Sequence, residues 1–85
     1  MKNVTVYTMN FCPYCEMAKR LLKSKDIPFT ETKVAEDDDA TWASLEKKTG
    51  FKTMPQIFIG DHFVGGYREL SVLEQEGKLD SLLKS

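Results

Sequence analysis

The spacing of apolar residues changes several times along this chain, and each change marks a predicted element. Val4 to Tyr7 is a β-branched and aromatic run that reads as a strand, and Thr8-Met9-Asn10-Phe11 after it reads as a loop. From Pro13 the period becomes helical: Tyr14, Ala18, Leu21 and Leu22 share one face, with Glu16, Lys19, Arg20 and Lys23 largely opposite. Pro13 suits a first helical turn, where its missing N–H costs nothing. Ile27-Pro28-Phe29 opens a second strand, and the proline together with poor alternation through Glu31 and Lys33 places that strand at a sheet edge. Asp37-Asp38-Asp39 supplies N-cap candidates for a helix holding Trp42 and Leu45, Lys47 and Lys48 lie near its end, and Gly50 stops it.

Ile57-Phe58-Ile59 and His62-Phe63-Val64 flank Gly60-Asp61, and a glycine at the first position of a two-residue loop suits a type II′ hairpin turn. After Gly65-Gly66 comes a helix carrying Leu70 and Leu73, then Gly77 and a tail with Leu79, Leu82 and Leu83. The order β-α-β-α-β-β-α follows. A strand-helix-strand unit crosses over right-handedly, so the first half predicts a parallel strand pair with a helix on one face, and the hairpin completes a four-stranded mixed sheet. The expected class is α/β, with three or four helices flanking the sheet.

Composition narrows the function classes. An 85-residue chain of net charge −1 predicts one domain over residues 1–85 with a modest core, and no charge surplus to recruit nucleic acid or an anionic membrane. Met1-Lys2-Asn3 runs straight into the first strand with no apolar leader, and no apolar stretch approaches the ~20 residues of a membrane span. A cytoplasmic protein is the expectation. His62, beside Asp61 in the hairpin, reads as a solvated turn residue, and Trp42, Leu45 and Phe58 read as packing.

The chemistry lies in the two cysteines. Disulfide-stapled mini-proteins carry four or more, whereas Cys12-Pro13-Tyr14-Cys15 sits where the first strand and loop meet the first helix, a thioredoxin-like redox signature beside β-α-β. A sulfur at a helix N-terminus faces unsatisfied N–H groups and the positive end of the helix dipole, which favour the thiolate. Cys12 is therefore expected to be the exposed nucleophile. Cys15, one turn inside, can reach it to close and reopen a disulfide, resolving the mixed disulfide that Cys12 forms with substrate. No metal or permanently bound organic group is required. Structural zinc usually takes four ligands, and here Cys12, Cys15, the lone His62 and carboxylates are all there is. Two inert buried cysteines fit poorly with an exposed helix start. An iron-sulfur cluster bridged by Cys12 of two subunits is a carrier reading that spacing leaves open.

With Cys12-Pro13-Tyr14-Cys15, Thr53-Met54-Pro55 and Gly65-Gly66 in this order and at these separations, the chain resembles the glutaredoxins over nearly its whole length. The resemblance implies a thioredoxin fold, a cis Met54-Pro55 bond, and a monomeric thiol-disulfide oxidoreductase that uses glutathione as reducing co-substrate and acts on protein disulfides and glutathione mixed disulfides. By the same resemblance Tyr14 flanks the tripeptide and Thr53, Met54 and Pro55 form the turn on which its cysteine pairs. Gly66, Tyr67 and Arg68 meet the γ-glutamyl end, and Lys48 or Lys52 meets the glycine carboxylate.

Two residues depart from the family pattern. Met9 replaces a lysine common three residues before the nucleophile, and Arg68 replaces an aspartate usual after Gly-Gly-x. Arg68 is expected to bind the ligand carboxylate, with Glu69 taking its ammonium. Gly66-Tyr67-Arg68 and Gly50-Phe51-Lys52 also resemble redoxins that are reduced by thioredoxin reductase and serve ribonucleotide reductase. The Pro-Tyr between the cysteines is the glutaredoxin form.

Overall fold

The computed structural model describes residues 2–84. Their elements are β1 (Val4–Thr8), α1 (Pro13–Ser24), β2 (Thr30–Lys33), α2 (Asp39–Thr49), β3 (Gln56–Ile59), β4 (His62–Gly65), α3 (Tyr67–Gln75) and α4 (Leu79–Lys84). One mixed sheet has the order β2-β1-β3-β4. Strand β1 runs parallel to β2, with Val6 opposite Glu31, and antiparallel to β3, with Val6 opposite Ile57. Strands β3 and β4 form the hairpin, and Gly60 has φ 59° while Asp61 has no positive φ, as a type II′ turn requires.

Local signals set the helix ends. Cys12 is the N-cap of α1 and Pro13 its first residue. Asp38 caps α2 by accepting the Thr41 N–H at 3.2 Å, and Gly50 closes it in the left-handed conformation at φ 81°. The leucine tail after Gly77 is itself helical, as α4, and Leu79 and Leu83 are buried in the core.

Two sequence expectations need correction. Strand β2 begins at Thr30 and all four of its residues are exposed, while Ile27, expected to open it, is a buried loop residue plugging the core. It is nonetheless the edge strand foreseen from Pro28 and the broken alternation. Tyr14, assigned to the apolar face of α1, is 62% exposed; Cys15, Ala18 and Leu22 form the buried face instead. A residue so close to the helix N-terminus has no preceding turn beneath it, and its ring is free to lean outward.

Side-chain alternation divides the core between the two faces of the sheet. Val4, Val6, Ile57 and Ile59 pack with Ala18, Leu22, Leu70, Leu79 and Leu83 of the helices on one side. Phe58 joins Val34, Leu45, Met54 and both cysteines in a second cluster, with Trp42 and Phe63 packed against it. Every residue of β3 is buried, so its apolar run is continuous where a one-sided strand would alternate. Each fully buried Leu or Ile contributes about 1.5–3 kcal/mol relative to exposure, enough to hold so small a sheet between its helices.

Candidate active site

The N-terminus of α1 organises the sulfur chemistry. Cys12 leaves β1 and its loop in extended conformation, φ −121° and ψ 95°, and its Sγ accepts the backbone N–H of Cys15 at 3.2 Å. The cysteines are joined as a disulfide with Cα atoms 5.2 Å apart, inside the range a disulfide tolerates. Opposite them, the cis Met54-Pro55 turn brings the Met54 carbonyl oxygen to 3.7 Å from Cys12 Sγ.

Cys12 is not exposed as the sequence suggests. It is 7% accessible in this oxidised state and Cys15 is wholly buried, because both pack into the cluster with Val34, Leu45, Met54 and Phe58. The order of access holds: of the two cysteines, Cys12 is the one that solvent reaches.

Where a lysine would stand three residues before the nucleophile, this chain has Met9. Met9 packs against the same apolar cluster. Lys19, one turn beyond Cys15, is bound by Glu16 at 2.9 Å and Glu31 at 3.1 Å. Its pKa is raised, first by the hydrogen bond to Glu16, while Glu31 is held below the usual carboxylate value chiefly by the Thr8 hydroxyl at 2.7 Å. Backbone N–H groups at the start of α1 are what this site offers a sulfur anion.

An open groove of about 700 Å³, lined by Tyr14 of the Cys-x-x-Cys segment and by Met54, runs to the start of α3; neither cysteine is among its lining residues. Tyr14 lines one side, with its ring stacked on that of Tyr67, centroids 6.3 Å apart. Thr53, Met54 and Pro55 form another wall, and Gly66, Tyr67 and Arg68 form the far end. Residues of all three sequence motifs, Tyr14, Thr53-Met54-Pro55 and Gly66, thus meet on one surface. Arg68 is exposed and makes no ion pair or hydrogen bond among the described residues.

Other assignments do not reach the groove. Lys48 lies over the Phe58 ring, 5.0 Å from its centroid, and Lys52 reaches back to Glu46 at 3.8 Å. His62, read as a solvated turn residue with no assigned role, lines a smaller hollow that shares Arg68, Glu69 and Val72 with the groove. Glu69 does line the groove, but one carboxylate oxygen accepts the Gly66 N–H at 2.8 Å, so its first task is to cap α3. Sequence reasoning missed Phe51, Ser71, Val72 and Gln75 along the walls. Exposed Val72 on an otherwise polar helix face was the one available hint.

Among the described residues no three His, Cys, Asp or Glu side chains gather to hold a metal ion, and no helix is long and apolar enough to cross a membrane.

Comparison with known proteins agrees with this arrangement. Residues 4–64 match the family described as Glutaredoxin. The chain is 44% identical to a glutaredoxin of Pseudomonas aeruginosa across all of both chains. The solution structure of a Brucella melitensis glutaredoxin superposes with a TM-score of 0.86 at 46% identity, over 99% of this chain and 90% of that one. The crystal structure of a buckwheat glutaredoxin-glutathione complex superposes with a TM-score of 0.90 at 28% identity, over 98% of this chain and 77% of that one. With a Cys-x-x-Cys pair at the helix start, a cis-proline turn against it and these relatives, the chain belongs to the glutaredoxin family of thiol-disulfide oxidoreductases.

Proposed function

We propose that this protein is a glutathione-dependent reductase of protein disulfides and glutathione mixed disulfides, working as a cytoplasmic monomer and a single domain with no permanent cofactor. The observation that carries the glutathione reading is the groove between Tyr14, the Thr53-Met54-Pro55 turn that faces Cys12, and the N-terminus of α3, where the Arg68 guanidinium has no ion pair among the described residues. A thiol tripeptide with a carboxylate at its acyl end matches that layout: sulfur at Cys12, peptide backbone on Met54, carboxylate at helix N–H groups and Arg68.

The Cys12 thiolate attacks one sulfur of the substrate disulfide; that S–S bond breaks, and the departing thiolate takes a proton from solvent. Cys15, once deprotonated, attacks the Cys12 sulfur, which frees the second substrate thiol and closes the Cys12-Cys15 disulfide. Two electrons have then passed to the substrate. One glutathione thiolate reopens the disulfide at Cys12, and a second attacks the bound glutathione sulfur, leaving glutathione disulfide and the dithiol.

The test is reduction of the oxidised protein by glutathione, set beside NADPH with thioredoxin reductase. Reduction by glutathione is expected; exclusive reduction by the flavoenzyme would replace the donor and favour service to ribonucleotide reductase. A coloured, dimeric preparation would favour iron-sulfur carriage.

A further inference from the structure

The turn that faces Cys12 lies between α2 and β3, where no helical or sheet ladder serves its backbone. Three of its backbone polar groups are satisfied from behind by two side chains that do not line the groove. Gln56 is fully buried and directs its Nε2 at the Phe51 carbonyl, 3.1 Å, and the Thr53 carbonyl, 3.2 Å. Both are acceptors only, so the amide must present nitrogen to them and oxygen to Thr49. The Thr49 hydroxyl donates to that Gln56 Oε1 at 3.0 Å, shares its proton with the Leu45 carbonyl at 2.8 Å, and accepts the Phe51 N–H at 3.0 Å.

We infer that Gln56 and Thr49 form a buried relay that positions the Phe51–Met54 turn for substrate, and so set how tightly the groove holds its ligand. The relay fastens the last turn of α2 to the first residue of β3, and the intervening residues take their shape from its donors and acceptors. Phe51, Thr53 and Met54 line the groove. Chemistry at Cys12 depends on the N–H groups of α1, which the relay does not touch. Loss of the relay is therefore expected to weaken binding with little effect on the chemical step. With glutathione as ligand, the kinetic form of this inference rests on the function proposed above.

The decisive variant is Thr49→Val, which keeps the side-chain volume and removes the hydroxyl. The KM for a glutathione mixed-disulfide peptide should rise about 5- to 20-fold, with kcat and the Cys12 thiol titration within twofold of wild type. Thr49→Ser should restore the KM. Independently of any substrate, amide exchange at Phe51 and Met54 in the Thr49→Val protein should quicken at least about tenfold while exchange at Cys15 and Glu16 stays unchanged. Wild-type protein that ignores the glutathione substrate would sink the glutathione reading, and the exchange measurement would still judge the relay. Unchanged exchange, an unchanged KM in a wild type that turns the substrate over, or equal losses in kcat and kcat/KM, would overturn the relay.

Discussion

Glu69 bends back to accept the Gly66 N–H at 2.8 Å, and in doing so fills the space that a side chain at Gly65 would need. A Cβ on Gly65 would lie 2.7 Å from Glu69 Cγ, and the Gly65 backbone already stands at φ 124°. One carboxylate thus finishes the N-terminus of α3 and makes glycine obligatory at the end of β4. Gly65→Ala should lower stability by about 1–3 kcal/mol through backbone strain and displacement of the cap. Glu69→Ala should cost about 1 kcal/mol, the usual cost of losing a cap. Urea unfolding would measure both, and Gly65→Ala at wild-type stability would refute the packing argument.

The Cys15 N–H donated to Cys12 Sγ predicts an activated thiol in the reduced protein. Titration of Cys12 should give a value below the ~8.5 of free cysteine. Cys12→Ser should abolish all turnover, whereas Cys15→Ser should retain removal of glutathione from mixed disulfides. Turnover surviving in the Cys12→Ser protein would reverse the assigned roles.

Arg68 lines the far end of the groove and makes no ion pair among the described residues. Replacing it with Ala should raise the KM for a glutathione mixed disulfide about 5- to 20-fold, the range for one charge-assisted hydrogen bond partly exposed to water. Arg68→Asp should be worse towards a carboxylate, and added salt should narrow the gap between wild type and Arg68→Ala. A KM indifferent to both substitutions would remove Arg68 from the site.

Thr8, Glu31 and Lys19 tie β1, the edge strand and α1 together, and their titration has a definite sign. The folded pKa of Glu31 lies below its ordinary 4.5, chiefly because the Thr8 hydroxyl bonds its carboxylate. The resulting stabilisation is present above the unfolded value and is lost as pH falls through the lower folded one. Lys19 behaves oppositely: its pKa is raised above 10.5, so its contribution persists below that value and fades as pH climbs through the folded one. Wild-type stability should drop between about pH 5 and pH 3, and Thr8→Val and Glu31→Gln should both show a shallower drop in urea midpoint over that window. An identical slope in Glu31→Gln would dismiss the pair as a source of acid sensitivity.

Much of the molecule was legible from neighbours in the chain. The cap at Cys12 with Pro13 behind it, the Asp38 cap, the Gly50 stop and the Gly60-Asp61 turn are each governed by residues within about four positions, where steric and hydrogen-bonding rules act without reference to the rest of the fold. The edge character of β2 was visible in Pro28 and in charges that no buried strand would carry.

What required the tertiary structure was everything set by residues distant in sequence. The ring of Tyr14, free to lean outward at the helix start, found Tyr67 to stack on, and Cys12 lost most of its exposure because it packs in a cluster with Met54 and Phe58. Lys48 and Lys52 found Phe58 and Glu46 in place of the groove. Gln56 carries no local signal in the sequence, yet burial made it the donor to the Phe51 and Thr53 carbonyls. The chain alone could announce a sulfur at the start of a helix, since a cap is a local object. How far that sulfur is covered, and which groups face it, depends on surfaces that come together only when burial of the apolar faces folds the sheet between its helices.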